Sequence, residues 1–294
     1  MTAGAATVAP RTVDLHMHST ASDGARVPEE VVAAARAAGI TAIALTDHDT
    51  VAGLDAARRA GDALGVRVIT GVELSAEEGG REVHLLGLHL GNPGAIEGTM
   101  ASLRDARVDR ARRMVEKLNA LGIPVSFDAV QSEAGIGAIG RPHVARAIVA
   151  GGWALDAREV FDRWLGHGRP ANVPKARLTV AEAIRLVHDA GGLAVAAHPG
   201  PETTRTRLER WGAEGLDGVE VWHPSHFPDE IRRLRALADH LGLVASGGSD
   251  WHGATDGPRT IGVMHVPYEV LEAQEARLAA RDGGEHATPP ARSA

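Results

Sequence analysis

Short apolar segments alternate with helix-like segments over the first third of the chain, and this alternation limits the possible folds most. The apolar segments lie around residues 13–15, 43–45, 66–69 and 83–91. The residues between the first three segments have a helical pattern; one stretch begins with Pro28 and two glutamates and ends at Gly39, as helices commonly do. This order favours a parallel sheet covered by helices, with its chemistry in the loops at the carboxyl ends of the strands.

The middle of the chain has a helical pattern instead, with a Gly-rich break at 135–140. The alternation of strands and helices resumes with apolar segments at 193–197, 218–222 and 243–246. We therefore expect an α/β domain interrupted by a helical subdomain. The predicted boundaries are 11–94 and 190–275 for the α/β domain, 95–189 for the insertion, and 1–10 and 276–294 for two flexible tails.

Composition excludes several classes of protein. The chain has no cysteine, so disulfides, thiolate metal sites and a cysteine nucleophile are excluded, and any metal must be bound by nitrogen and oxygen. A net charge of -7 argues against binding to long nucleic acid. Because there is neither an apolar run of membrane-spanning length nor a secretory pattern in MTAGAATVAP, we expect a cytoplasmic protein without membrane contact.

Histidine and acidic residues follow the first two predicted strands. His16 and His18 alternate in VDLHMHS, so their side chains point to the same face and can bind one metal; the alternative is a pair of partly exposed strand-end histidines. Asp23 follows nearby, where it could also be a turn residue. In LTDHDT, His48 lies between two aspartates, an arrangement that favours a bound cation, although Asp49 could instead cap a helix.

Similar residues recur at the ends of later strands. Glu73 follows the third strand in TGVELSA and His84 begins the fourth; taken alone, Glu73 would be an ordinary surface carboxylate. His198 follows the apolar segment AVAA, and Asp250 and His252 follow the last strand in SGGSDWHG. Metal-ligand residue types at so many strand ends predict one metal centre.

The motifs HMH, TDHD, GVE, His-Pro and SDWH, in this order, resemble those of the PHP family, named for polymerase and histidinol phosphatase domains. The resemblance covers residues 12–90 and 190–265. It implies a distorted (β/α)7-type barrel with two or three metal ions at its C-terminal face. The resemblance implies that one metal is bound by His16, His18 and Asp250. It also implies that Glu73 bridges to a second metal held by His84 and His198, and that a third site is formed by Asp23, His48 and His252.

This donor set agrees with metal-assisted hydrolysis. Six histidines and three carboxylates without sulfur suit Mn, Fe or Zn better than Mg, and we expect Mn. Two metals about 3.5–4 Å apart can deprotonate a bridging water, and the resulting hydroxide is then the nucleophile toward a phosphoryl group. We accordingly assign catalytic roles to Glu73, His48 and Asp250, and expect Asp47 and Asp49 to orient His48 and its neighbours.

Substrate contacts are predicted outside the metal ligands. In IGRPHVARAI, Arg141 and His143 precede a helix whose N-terminus suits a phosphate; the alternative is a solvated arginine beside a capping histidine. A similar Gly-Arg-x-His segment lies in the insertion of nucleotide-acting PHP proteins. In VWHPSHFP we favour His226 over His223 for contact with a phosphate or leaving group, although it could be an ordinary loop histidine.

These observations predict a metal-dependent phosphoric ester hydrolase acting on a small nucleotide: a 3′,5′-bisphosphonucleoside, AMP or a short 5′-phosphorylated RNA. Histidinol phosphate is the alternative substrate. An amidohydrolase also begins with HxH, but its usual binuclear form needs a bridging lysine at a strand end, which neither Lys117 nor Lys175 supplies. A non-catalytic binding module is disfavoured because all nine expected ligands are present, and we expect no obligate protein partner.

Overall fold

The computed structural model describes residues 11–134, 139–174 and 177–285, with side chains as far as 281. The predicted tail 1–10, the end of the other tail, 286–294, and most of the Gly-rich break lie outside the described residues. Within the chain, contacts define two compact units. Unit 1 comprises the residues up to Glu97 and from Leu178 onward, and unit 2 comprises Gly98–Arg177. The predicted boundaries of the insertion, 95 and 189, stay a prediction.

One sheet forms the framework of unit 1. Its strands are β1 Thr12–Met17, β2 Ala42–Leu45, β3 Arg67–Glu78, β4 Arg81–Leu88, β5 Leu178–Thr179, β6 Leu193–Ala196, β7 Gly218–Trp222, β8 Val244–Gly247 and β9 Val266–Pro267. They pair in the order β8-β7-β6-β4-β3-β2-β1-β9, with β5 beside β3. A bridge between Met17 and Trp251 brings the chain after β8 back to β1, so the sheet is a nearly closed, distorted barrel. The predicted fold class is confirmed.

Strand β4 departs from the parallel arrangement that the sequence favoured. β1, β2 and β3 are parallel, as are β6, β7 and β8, but β4 runs antiparallel to both β3 and β6. The reason is the connection between β3 and β4, which consists only of Gly79 and Gly80. A two-residue link joins antiparallel strands, and both glycines have the positive φ angles, 58° and 83°, that such tight turns require.

Helices flank the sheet and build unit 2. Their bounds are α1 Pro28–Ala37, α2 Leu54–Leu64, α3 Pro93–Ala120, α4 Phe127–Ala134, α5 Arg141–Ala150, α6 Ala157–Val160, α7 Val180–Asp189, α8 Arg205–Ala213, α9 Pro228–Leu241 and α10 Tyr268–Glu285, with a π-helical turn at Phe161–Leu165. α10 extends through the first ten residues of the predicted C-terminal tail, and the segment LEAQEARLAARD within this helix consists almost entirely of good helix formers. Within the described residues, no helix is long and apolar enough to cross a membrane.

A change of face along β1 positions the first ligand candidates. Val13 and Leu15 pack in one hydrophobic cluster with Ala42 and Ala44 of β2. Met17 packs instead in a second cluster with residues of β2, α1 and α2. The switch coincides with a shift of the β1–β2 register between Asp14 and Met17, as expected where a strand contains a bulge. His16 and His18 therefore flank a buried Met17 and are themselves fully buried.

Unit 2 has a hydrophobic core of its own. Helices α3, α4, α5 and α6 and the π-helical turn contribute to it the buried side chains of Met114, Leu118, Val130, Val144, Ile148, Val160 and Leu165. No strand occurs in the described part of this unit. A helical unit thus interrupts the barrel sequence between β4 and β5.

Candidate metal centre

The nine predicted metal ligands come together in unit 1. His16 lies in β1 and His18 just after it, His48 follows β2, His198 follows β6, and Asp250 and His252 follow β8. Glu73 and His84 differ from the prediction because they lie inside strands rather than at strand ends. In the β3–β4 hairpin, Glu73 pairs with Leu86 and Ser75 pairs with His84, which makes Glu73 and His84 diagonal neighbours on one face.

Glu73 occupies the middle of this cluster and is almost fully buried. Its Oε1 lies 2.9 Å from His84 Nδ1 and 2.9 Å from His198 Nε2. Its Oε2 lies 3.2 Å from His16 Nε2, 3.3 Å from His18 Nε2 and 3.3 Å from His48 Nδ1. Ligands of one ion at bond lengths of about 2.1 Å are themselves roughly 3 Å apart, so this spacing suits shared metal ions.

Asp250 is the second buried carboxylate of the cluster. Its Oδ1 lies 3.2 Å from His18 Nε2 and 3.5 Å from His16 Nε2, while its Oδ2 faces His223 Nε2 at 3.3 Å. Although burial alone would raise the pKa of Asp250, hydrogen bonds from His18 and His223 bring it far below its usual range. The carboxylate is therefore ionised and can bind a cation.

Asp23 brings the more exposed side of the cluster together. Its carboxylate lies 3.2 Å from His252 Nε2, 3.8 Å from His48 Nε2 and 3.8 Å from His18 Nδ1. More than half of this side chain is exposed, whereas Glu73 and Asp250 are buried. A metal held here would be more accessible to solvent than one held by Glu73 and Asp250.

Among the residues that the structure describes, four groups of side chains have donor atoms close enough to hold an ion. They are His16, His18, Glu73 and Asp250; His48, Glu73 and His84; His18, Asp23, His48 and His252; and His16, Glu220 and His223. The first three overlap with the predicted ligand sets, and His198 joins the second through its 2.9 Å approach to Glu73. The assignment of individual ligands to individual ions stays a prediction.

The buried nitrogens of the cluster fit a divalent cation. Both ring nitrogens of His18, and Nδ1 of His84, are buried, and none of them makes a well-aligned hydrogen bond among the described residues, although carboxylate oxygens lie 2.9–3.3 Å from His84 Nδ1 and His18 Nε2. Buried imidazole nitrogens normally have partners, because an unsatisfied buried polar atom is destabilising. Coordination to divalent ions would use these lone pairs, so the residues present fit metal binding.

The backbone is strained at two of these ligand positions. His198 and Asp250 have φ angles of 26° and 50°, values that residues other than glycine rarely adopt. Such conformations persist only where the surrounding structure enforces them, and they concentrate at functional sites.

Glu220 is a functional candidate that the sequence analysis missed. It is fully buried in β7, with Oε1 3.0 Å from His16 Nδ1 and Oε2 accepting a 2.6 Å hydrogen bond from the backbone N–H of His198. Its contact at Nδ1 leaves His16 Nε2 to face Glu73 and Asp250. The signal available in the sequence was a single charged residue, Glu220, within the otherwise apolar strand GVEVW. Asp14 in TVDLHM is a similar case.

The hydrogen bonds of Asp47 and Asp49 reach backbone segments beside the cluster, and their role in orienting His48 and its neighbours stays a prediction. Asp47 accepts hydrogen bonds of 2.7 Å from Ser19 N, Ser19 Oγ and Ser22 Oγ, so it holds the loop that carries Asp23. Asp49 accepts a 2.9 Å bond from the backbone N–H of Ser75.

Replacing Glu220 by glutamine should lower metal affinity or activity roughly 10- to 100-fold, the usual cost of losing a carboxylate that orients a ligating histidine. Isothermal titration with Mn²⁺ and steady-state kinetics measure the two effects. Glu230→Gln is the matched control, because Glu230 is another buried glutamate of unit 1 and lies on α9. Unchanged metal affinity and activity in Glu220→Gln would show that Glu220 does not orient His16.

The two histidines after β7 differ in their surroundings. His223 Nε2 reaches Asp250 and its Nδ1 lies 2.7 Å from Ser225 Oγ. His226 is buried, its Nδ1 donates a 3.0 Å hydrogen bond to the Val221 carbonyl, and its Nε2 has no partner among the described residues. Burial lowers the pKa of His226, which favours a neutral ring. His223 is thus the histidine that contacts the cluster, and the predicted role of His226 stays a prediction.

The predicted phosphate-binding residues lie in unit 2. Arg141 begins α5, and the Nδ1 of His143 accepts a 2.9 Å hydrogen bond from the backbone N–H of Gly140, which is the capping contact we considered. The buried Arg110 donates from Nε to the Val173 carbonyl at 2.6 Å. Burial, and then the positive charge of Arg141, lower the pKa of Arg110. Positive charge is thus concentrated around Arg141.

A cleft of about 520 Å³ lies beside the metal centre within unit 1. His84 and His198 form part of its wall. Trp211, Arg207 and the Pro199–Pro201 turn also contribute to its wall. A small molecule in this cleft would lie next to two predicted ligands.

Comparison with known proteins identifies relatives that cover most of the chain. The PHP domain matches residues 14–126. A 3′,5′-nucleoside bisphosphate phosphatase from Chromobacterium violaceum is 39% identical, with 85% of this chain and 90% of that protein covered. A 5′-3′ exoribonuclease from Haemophilus influenzae is 36% identical, with coverage of 81% and 89%.

Solved structures give the same grouping. One, from Bifidobacterium adolescentis and predicted to be a metal-dependent phosphoesterase, has a TM-score of 0.64 and 34% identity over 91% of this chain and 97% of that one. Another, from Chromobacterium violaceum, is named an amidohydrolase and contains bound sulfate without metal. It has a TM-score of 0.62 and 36% identity over 92% of this chain and 96% of that one.

Proposed function

The chain belongs to the PHP domain family and is a metal-dependent phosphoric ester hydrolase, and from this premise we propose that it releases phosphate from a small nucleotide. The convergence of five histidines on the two oxygens of Glu73 is the observation that carries the proposal. The first substrate is a 3′,5′-bisphosphorylated nucleoside, by analogy with the relative from Chromobacterium violaceum. AMP and short 5′-phosphorylated RNA follow, the latter by analogy with the exoribonuclease.

The proposed ligand sets use Glu73 as a bridge. His16, His18 and Asp250 would hold one ion, His84 and His198 a second, and Asp23, His48 and His252 a third. We propose Mn²⁺, since a mixture of imidazole and carboxylate donors suits it better than Mg²⁺. Divalent ions in such a centre lower the pKa of water and polarise a phosphoryl oxygen.

The surrounding residues prepare this centre. Glu220 fixes the ring orientation of His16 and, through its hydrogen bond to the His198 N–H, the position of that loop. Asp47 fixes the Ser19–Ser22 loop that leads to Asp23. His226, with a neutral ring, would contact the phosphate or leaving group. These hydrogen bonds exist before substrate arrives, so the donor atoms need little rearrangement.

A comparison of substrates tests the proposal. Protein stripped of metal and reloaded with Mn²⁺ is assayed for phosphate release from adenosine 3′,5′-bisphosphate, AMP, histidinol phosphate and a short 5′-phosphorylated RNA. We expect the highest kcat/KM for the bisphosphate. Preference for histidinol phosphate would contradict a nucleotide substrate, and hydrolysis of amides alone would contradict phosphate ester hydrolysis.

Arg141→Ala is expected to raise KM for the nucleotide about 10- to 100-fold with a smaller change in kcat, because a charge-assisted contact to phosphate contributes about 1.5–3 kcal/mol. Steady-state kinetics on the preferred substrate measure this effect. Arg146→Ala is the matched control: Arg146 lies on the same helix and pairs with Glu133 at 3.0 Å. Equal KM values for both variants would show that Arg141 does not bind substrate.

A further inference from the structure

Arg259 is an arginine at the metal centre to which no role has yet been assigned. Its Nη1 lies 2.7 Å from Asp250 Oδ2, and about half of its side chain is exposed. Among the arginine–carboxylate ion pairs described for the structure, this pair alone involves a predicted metal ligand. Its guanidinium therefore lies where the cluster meets solvent.

The two oxygens of Asp250 have different neighbours. Oδ1 faces His16 and His18, the histidines proposed to share an ion with it. Oδ2 faces His223 and Arg259. Arg259 thus approaches the carboxylate on the oxygen next to His223 and leaves the oxygen next to His16 and His18 to the proposed ion.

The loop that carries Arg259 is anchored at both ends. On one side the indole N–H of Trp251 donates to the Ala254 carbonyl at 2.7 Å. On the other the backbone N–H of Gly262 donates to the buried carboxylate of Asp14 at 3.2 Å, and Asp14 also accepts from Ser249 N at 2.9 Å. Asp14 therefore links this loop to the segment that precedes Asp250, which fixes Arg259 relative to the centre.

A guanidinium carries five N–H donors in a planar fork. One nitrogen of Arg259 faces Asp250, and within the described residues no other hydrogen-bond or ion-pair partner of this side chain occurs. The remaining donors are free to bind an anion. Because they are half exposed beside the metal ligands, the anion they suit is one that enters the centre from solvent.

We propose that Arg259 contacts the phosphoryl group undergoing hydrolysis, through the guanidinium nitrogens that do not face Asp250. This inference rests on the proposed function, since it assigns a further substrate contact to the same site. Arg259 would be a catalytic residue, because the negative charge of the phosphoryl oxygens must be held while the ester bond breaks. A contact with phosphate also explains why a positively charged side chain lies next to a cluster that is proposed to bind metal cations.

Three variants test the proposal: Arg259→Gln, Arg259→Lys and, as control, Arg67→Gln. Arg67 is also half exposed and pairs with a carboxylate, that of Glu275, away from the centre. We expect Arg259→Gln to lower kcat/KM for the preferred phosphate ester roughly 10²- to 10³-fold, in the range seen when one charge-stabilising donor is removed. Arg259→Lys should recover only part of this loss, since lysine keeps the charge but not the fork.

Two readouts separate contact with phosphate from a purely structural role. The dissociation constant of inorganic phosphate for the Mn²⁺-loaded protein should rise about tenfold or more in Arg259→Gln, and bound Mn²⁺, measured by mass spectrometry after dialysis, should stay at the wild-type level. Loss of Mn²⁺ together with activity would overturn the proposal, because Arg259 would then act only by positioning Asp250. Wild-type activity and phosphate affinity in Arg259→Gln would overturn it equally.

The phosphate-binding measurement also separates this inference from the proposed function. If the wild-type protein hydrolyses no phosphate ester but loses phosphate affinity on Arg259→Gln, the proposed function and the catalytic role of Arg259 fail, while its contact with phosphate stands. If the wild-type protein hydrolyses nucleotides and Arg259→Gln does so equally well, the proposed function stands and the contact fails.

Discussion

Glu73→Gln is expected to lower kcat/KM for phosphate release by more than roughly a thousandfold. Losing a residue that merely orients a metal ligand costs 10- to 100-fold, and Glu73 is proposed to be a ligand itself. Both of its oxygens lie 2.9–3.3 Å from histidine nitrogens, and an amide would present N–H donors to some of them. Steady-state kinetics and metal analysis of the purified variant measure the effect.

Glu77→Gln provides the matched control for this substitution. Glu77 lies on the same strand as Glu73 and accepts a hydrogen bond from the backbone N–H of Gly80 in the hairpin turn. It should retain wild-type activity and Mn²⁺ content. Circular dichroism should show that both variants keep the fold. A Glu73→Gln variant with normal activity and metal content would remove Glu73 from the proposed centre.

His48→Ala is expected to lower kcat/KM by more than roughly a hundredfold and to reduce the amount of bound Mn²⁺. The reason is its position between two carboxylates: Nδ1 lies 3.3 Å from Glu73 Oε2 and Nε2 lies 3.8 Å from Asp23 Oδ2. Its removal leaves both carboxylates with one donor fewer around a shared ion. Activity and metal content are measured on the same preparations.

His240→Ala is the control for His48→Ala, because His240 lies exposed near the end of α9. The control should bind as much Mn²⁺ and turn over as fast as the wild-type protein. If His48→Ala also keeps wild-type Mn²⁺ content and activity, the alternative interpretation holds, in which Asp49 caps a helix and His48 is incidental.

Much of the fold and of the site could be predicted from two sequence features: the alternation of strand-like and helix-like segments, and the polar residues at the ends of the strands. The carboxyl ends of parallel strands meet at one edge, so His16, His48, His198 and Asp250 could be expected to converge without knowledge of the tertiary structure. Histidine and carboxylate residues at successive strand ends made that expectation specific to a metal centre. The structure brings all nine predicted ligands into one cluster.

The hairpin was harder to predict than the parallel strands. In RVITGVELSAEEGGREVHLLGL the apolar residues around Glu73 and His84 indicate strands, but strand direction depends on the link between them. Gly79 and Gly80 are the sequence feature that determines it. Reading them as a two-residue turn would have placed Glu73 inside a long strand, with His84 as its diagonal neighbour.

Residues that act through tertiary contacts were missed for a different reason. Glu220 and Arg259 have no local pattern that relates them to His16 or to Asp250. Glu220 is separated from His16 by 204 positions, and only the closure of the sheet brings the two side chains within 3.0 Å. A buried charge in an apolar strand signals an interaction but does not identify the partner.

A metal titration of the stripped protein tests the central claim most directly. Mn²⁺ is added in steps, and bound Mn²⁺ and phosphate release from adenosine 3′,5′-bisphosphate are measured on the same samples. We predict no turnover without metal, more than one Mn²⁺ bound per chain, and activity that rises as the ions bind. Undiminished phosphate release from protein shown to contain no metal would contradict the assignment of this cluster as a catalytic metal centre.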